Sequence, residues 1–194
     1  MSGFLLEYGM KMGQIRDAVE VFQRLRKKKY RIIIEDGTEF ILVFSPEHYH
    51  HLAGFQYLTD FPQICTPKAG THKFYGDVKN DRIKERDIVK SVKYKEIEER
   101  ITFFSNLEEI LASGKGKVIV EFDKTQADSQ IEAKYYLYKR EGAAFEGDVT
   151  YYALFIGYDE RKKRYFPRTF IVEHTARYAQ GQNILNCSIE VIDK

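Results

Sequence analysis

The chain has no tryptophan, only two cysteines and four prolines among 194 residues, and charges that almost cancel: 31 basic against 29 acidic side chains, a net of +2. Each scarcity excludes something. Cys65 and Cys187 lie far apart in sequence, so there is no disulfide framework, and the usage fits a reducing cytoplasm. No apolar stretch approaches the ~20 residues of a membrane-spanning helix. The opening MSGFLLEYGMKMG has too short an apolar run, and no basic lead, for a signal peptide. Near-zero net charge removes any global attraction to nucleic acid. Basic residues cluster in two runs, RLRKKKYR at 24–31 and RKKR at 161–164. Phosphate-loop, dinucleotide-loop, nucleophile-elbow and H-E-x-x-H patterns are all missing. There is no internal repeat and no low-complexity segment.

What is present is a core-forming composition. Hydrophobic residues make up 43%, including 14 phenylalanines and 14 tyrosines. The length suits one domain, 1–194. Its first part, 1–114, reads as mainly helical with one hairpin, and 115–194 as a sheet. Ile15, Val19, Phe22 and Leu25 recur at helical spacing, predicting an amphipathic helix over 14–29 with a basic end. YRIIIEDGTEFILVF predicts a hairpin turning at Asp36-Gly37. Ser45, Pro46 and Glu47 then supply an N-cap, a first-turn proline and a first-turn acid for a short helix. Residues 60–76 hold two prolines and two glycines and read as irregular. Residues 77–113 predict two helices, 77–91 and 94–113, the second ending near Gly114.

After Gly116 the period changes to two. KVIVEF, SQIEAKYYLYKR, VTYYALFIGYD, YFPRTFIVE and NILNCSIEVID predict an antiparallel meander joined by short links such as EGAAFEGD and DERKKR. A short helix is expected at 174–181. In the last strand Leu185, Cys187, Ile189 and Val191 share a face that should pack on the helices. Glu132, Lys134, Tyr136 and Tyr138 share a polar, aromatic face, either a substrate platform or simply the solvated side. The fold class is therefore α+β: N-terminal helices and a β-hairpin on a curved C-terminal antiparallel sheet of four or five strands.

Three of the five histidines fall within SPEHYHHLAGF. His48, His51, Leu52 and Phe55 share a helical face, which puts His51 against the core and leaves His48 and His50 at the exposed side and entrance. His48, His51, Cys65 and His72 have the right ligand types for zinc, but their spacing matches no strong zinc pattern. Metal-free acid–base chemistry is the other use of such a histidine. In RNA cleavage the 2′-OH attacks the adjacent phosphate, a base takes its proton, an acid protonates the leaving oxygen, and a cation steadies the phosphorane. His51 fits the proton-transfer roles. Lys134, Arg168, Thr169 and Ser188 are candidates to hold phosphate from the sheet, and His174 is an outside candidate for a second acid–base group.

Several short motifs, in order, resemble the phage barnase–EndoU–colicin–RelE-like nuclease group. His51-Leu52-Ala53-Gly54-Phe55 resembles its HLxG motif, and Phe40 to Phe44 the strand before it. Ile131-Glu132-Ala133-Lys134-Tyr135 resembles its short strand motif. Tyr165 to Glu173 resembles its P-x-S-F strand, with Thr169 where serine is commoner. Tyr178 and Gln182 resemble its closing tyrosine and glutamine. The resemblance implies a barnase/EndoU/RelE-like fold and a metal-independent endoribonuclease without cofactor, often a toxin of phages or mobile elements. It implies RNA as substrate and an antitoxin or immunity protein as partner.

Carried onto these positions, the resemblance makes His51 the general acid or base. Arg168 and Lys134 bind phosphate, Thr169 donates to a non-bridging oxygen, and Tyr135, Tyr178 and Gln182 shape the pocket or hold RNA. In a regular strand Arg168 and Thr169 face opposite ways, so both reach one pocket only across a bulge, which Pro167 would mark. The alternative is a non-catalytic RNA- or protein-binding module on the same scaffold, using tyrosines and basic runs for stacking and phosphate contact.

Overall fold

In the computed structural model residues 13–142 and 149–194 are described. The opening stretch assessed as a signal peptide and most of the EGAAFEGD link lie outside these residues. Helix α1 (Gln14–Arg26) buries Ile15, Ala18, Val19, Val21, Phe22 and Leu25 as one stripe and carries Arg24 and Arg26 in its last turn, where they suit its dipole. Its unpaired N-terminal amides are met from far along the chain, because a Glu85 carboxylate oxygen accepts from Gly13 N–H at 2.9 Å and Ile15 N–H at 3.0 Å.

Strands β1 (Lys28–Ile34) and β2 (Glu39–Val43) form the expected hairpin, with Gly37 in the left-handed region at φ 89°. The short helix α2 is His48–Leu52, followed by a 3-10 turn at Phe55–Tyr57. The stretch expected to be irregular is instead largely helical: α3 (Pro62–Cys65) and α4 (Gly70–Lys79). Phe74, Tyr75 and Val78 form the buried side of α4, a helical spacing obscured by the prolines and glycines around it. The two longer helices expected beyond it break into α5 (Glu85–Ile88), α6 (Lys95–Thr102) and α7 (Asn106–Ile110). The first break contains Asp81 at φ 55°. The next is pinned by Asp60, whose carboxylate accepts from Ser91 Oγ at 2.6 Å and Val92 N–H at 2.9 Å.

The sheet departs most from expectation. It is a closed ring of seven strands, not a sheet of four or five. Strands β3 (Gly114–Glu121), β4 (Tyr135–Glu141), β5 (Thr150–Asp159) and β6 (Arg164–Glu173) follow one another, and β7 (Asn183–Asp193) lies between β3 and β1. The hairpin therefore belongs to the sheet: β1 pairs along seven residues with β7, and one parallel bridge, Leu42 with Tyr165, joins β2 to β6. Residues 129–134 and 174–181 are irregular, not strand and helix as expected.

One face of the ring is covered by the helices, and the other is covered over β3 to β6. On one face Ile32, Leu42, Ile119, Leu137, Leu154, Phe170, Cys187 and Ile189 join the helices in one apolar cluster, as the phase of β7 predicts. On the other, Val120, Phe122, Tyr136, Phe155, Ile171 and Tyr178 form a second cluster beneath the segments 122–134 and 174–182. Tyr136, expected on an open platform, is 2% exposed. Irregular chain packs over Tyr136, whereas Glu132 and Lys134 are exposed and Tyr138 is half-buried.

Candidate active site

Beyond the Leu42–Tyr165 bridge β2 leaves β6, and α2, which follows β2, packs against β6 instead. The turn into α2 is built differently from a side-chain cap. Ser45 N–H donates to His48 Nδ1 at 3.0 Å, and Ser45 C=O accepts from His48 N–H at 3.0 Å. With Nδ1 accepting, the ring proton belongs on Nε2. Burial, aided by the positive charges of Arg164, His51 and Lys162 and opposed by Glu47, pulls the His48 pKa down to about 4. His48 is therefore a neutral donor near pH 7, its ring facing Phe166 with centroids 5.9 Å apart.

The three histidines are disposed opposite to expectation. His50 is the core residue: it is 1% exposed, its Nε2–H donates to Ile64 C=O at 2.7 Å, and its edge meets the Phe74 ring. His48 is buried, while His51 is open to solvent. Partial enclosure and the nearby Arg168 guanidinium lower the His51 pKa, which leaves a neutral imidazole near pH 7.

Strand β6 carries a bulge at the position Pro167 suggests. Thr169 faces Phe155 and Pro167 faces the next residue, Ile156, which leaves Arg168 as the extra residue. Arg168 is exposed, and among the described residues no carboxylate within 4 Å and no hydrogen bond ties it down. Phe166 lies flat because its neighbour on β5 is Gly157, where a Cβ would sit 2.6 Å from Phe166 Cζ.

These pieces meet in one cavity of about 390 Å3, lined by His48, His51, Gln56, Tyr57, Gln130, Ile131, Phe166, Pro167, Arg168 and Thr169. Its volume is within the range of small-ligand sites. The Thr169 hydroxyl donates to His51 C=O at 3.4 Å and accepts from Arg100 Nη1 at 3.2 Å, so it ties α2, α6 and β6 together. Arg100 also lies over the Tyr57 ring, 4.8 Å from its centroid. It is a cation beside the cavity that sequence reading missed, because it sits among the charges of KEIEERIT with nothing local to mark it.

The remaining sequence candidates are placed elsewhere. Lys134 is exposed just before β4, with its Nζ 5.9 Å from the Tyr135 ring centroid, and does not line the cavity. Tyr135 points toward the helices and stacks on Phe40 at 5.7 Å. Ser188 lies on β7, separated from β6 by β1 and β2, and lines a different hollow with Ile33 and Lys115. His174 follows the far end of β6 and bonds Glu99 at 3.1 Å. Five residues beyond Thr169, it is about 17 Å away along the strand. Of the four zinc-ligand types, Cys65 Sγ bonds Gln56 C=O and His72 sits beside Glu47. Among the described residues no three such side chains gather as a metal site.

Tyr178 and Gln182 act at a distance from the cavity. Gln182 Oε1 accepts from Asp123 N–H at 2.8 Å, and its Nε2–H donates to Asp123 C=O at 2.9 Å. Tyr178 packs edge-on against Phe155 with centroids 5.2 Å apart. Together they anchor the 122–134 segment, whose Gln130 and Ile131 form one cavity wall. Gln182→Ala is expected to raise KM about 3- to 10-fold, the effect of losing about 1 kcal/mol of wall positioning, without moving the pH profile. Steady-state kinetics across pH would check this, and an altered profile would place Gln182 in the chemistry itself.

Among the described residues no helix is long and apolar enough to cross a membrane. No curated protein matches the chain, and no solved structure does. Residues 14–186, almost the whole length of the chain, match the family model described as phage-Barnase-EndoU-ColicinE5/D-RelE like nuclease 4, and the chain belongs to this nuclease family.

Proposed function

We propose that the chain is a metal-independent endoribonuclease. The observation that carries this reading is the convergence, across the β6 bulge, of a neutral histidine and an unpaired arginine in one cavity. His51 takes the proton from a ribose 2′-OH as that oxygen bonds to the adjacent phosphorus. The P–O5′ bond breaks, and the leaving oxygen collects a proton from His51 or water. Arg168 faces the charge that builds on the phosphorane, and His48 donates through Nε2–H without titrating. Thr169, with its hydroxyl bonded to His51 C=O and Arg100, holds the acid–base group and the flanking cation in place. Lys134, Tyr135 and Ser188 have no part in this geometry. The binding-module alternative loses Tyr136 as a stacking platform, because that ring is buried. A nuclease of this chemistry acting as a toxin requires an inhibitor, so an antitoxin or immunity protein over the cavity is the partner implied.

The test is cleavage of labelled RNA in excess EDTA. The expected products carry 2′,3′-cyclic phosphate and 5′-hydroxyl ends. Products with 5′-phosphate ends, or cleavage only after divalent metal is restored, would overturn the proposal.

A further inference from the structure

We propose that the β5–β6 hairpin tip, Arg161 to Arg164, is a phosphate clamp that feeds single-stranded RNA across Phe166 into the cavity. This rests on the RNA-cleaving reading above. The tip is a built feature: the Asp159 carboxylate accepts from Arg161 N–H and Lys162 N–H, both at 3.0 Å, and Lys163 takes a left-handed φ of 47°. All four cations are exposed. Lys162 shares Asp159 at 3.9 Å, and among the described residues no carboxylate within 4 Å pairs with Arg161, Lys163 or Arg164. Glu160, also exposed, pairs with none of them. Four basic and two acidic residues over 159–164 leave +2, as much as the entire 194-residue chain carries.

The tip is continuous with the cavity. Arg164 and Phe166 share a face of β6, and Arg168 follows in the bulge. Arg164 to Arg168 spans about 13 Å of strand, or about four nucleotides at the stacked spacing of ~3.4 Å. Arg164 and Lys162 stand close enough to His48, in the cavity wall, for their charge to act on it. The cavity accommodates a splayed nucleotide, not a duplex. The 40%-exposed Tyr57 at its rim, with Arg100 over one ring face, leaves its other face for a base to stack on, and Phe166, between Gly157 and His48, adds its edge to the cavity wall.

The experiment pairs Arg161→Gln/Lys163→Gln with two readouts. In a His51→Ala background, binding of a fluorescent single-stranded RNA long enough to reach the tip is titrated against salt. The double change should weaken binding about ten-fold at low salt and make the log–log salt slope shallower by about 1.4, or ~0.7 per lost phosphate contact. In the His51-bearing protein it should raise KM for that RNA and leave turnover of a dinucleotide unchanged. An unchanged slope and KM would overturn the clamp, as would equal loss on duplex RNA or loss of dinucleotide turnover. If the native protein cleaves nothing while binding still depends on the tip, the clamp stands and the nuclease reading fails.

Discussion

His51→Ala is expected to lower RNA cleavage about 10^2- to 10^4-fold, the range for removing a positioned general base. The pH profile makes this expectation specific. Enclosure and the Arg168 charge both disfavour the imidazolium and hold the His51 pKa below its usual 6.5. A base must be unprotonated to act, so activity should rise with pH through a midpoint below 6.5 and level off above that midpoint. Arg168→Gln removes the charge but not the enclosure. The break should then move toward, without reaching, the ordinary value, and the plateau should fall by about 10^2-fold as phosphorane stabilisation is lost. A break that stays in place in Arg168→Gln would mean the titrating group is not His51. The neighbouring His48, at about 4, titrates too low to imitate this limb at neutral pH.

The largest effect on stability is expected at Gly54. Its φ is 83°, where a side chain costs about 1–2 kcal/mol. A Cβ there would also lie 2.9 Å from Ile97 Cγ2 and 3.1 Å from Arg100 Cδ. Ile97 is fully buried and has no room to withdraw, so the clash adds about 1–3 kcal/mol. Gly54→Ala should therefore destabilise the fold by about 3 kcal/mol and lower the melting temperature by roughly 10 °C. Gly37→Ala is the control: Gly37 has φ 89°, but nothing lies within 4 Å of its added Cβ. Thermal unfolding of the two variants would isolate the contact. Equal losses would show that the approach of α6 to Gly54 carries no weight.

That close approach also explains what could be read from sequence and what could not. The β1–β2 hairpin and the inward set on β7 were legible because turn chemistry and period two are local signals. The β6 bulge that brings Arg168 and Thr169 to one cavity with His51 was legible because Pro167 marks it. The histidine burial was misjudged because α4 was hidden among prolines and glycines. Without α4 there is no Phe74 against which His50 must pack. The ring closure rests on one backbone bridge between β2 and β6, which no side-chain pattern encodes. Arg100 and Gln182 matter through partners 69 and 59 residues away. Such pairings exist only after the chain has folded.

His51 and Thr169 are joined across 118 residues, and Arg168 stands beside them in the C-terminal half. Under the proposed mechanism, a ribosome-bound chain that has already made His51 would carry half of the proton-transfer centre and lack Arg168 to complete it. A contact this far apart in sequence is among the slowest to form. RNA cleavage by that mechanism would then be withheld until β6 has emerged and docked, so truncated or still-growing copies would pose no hazard to the RNA that encodes them.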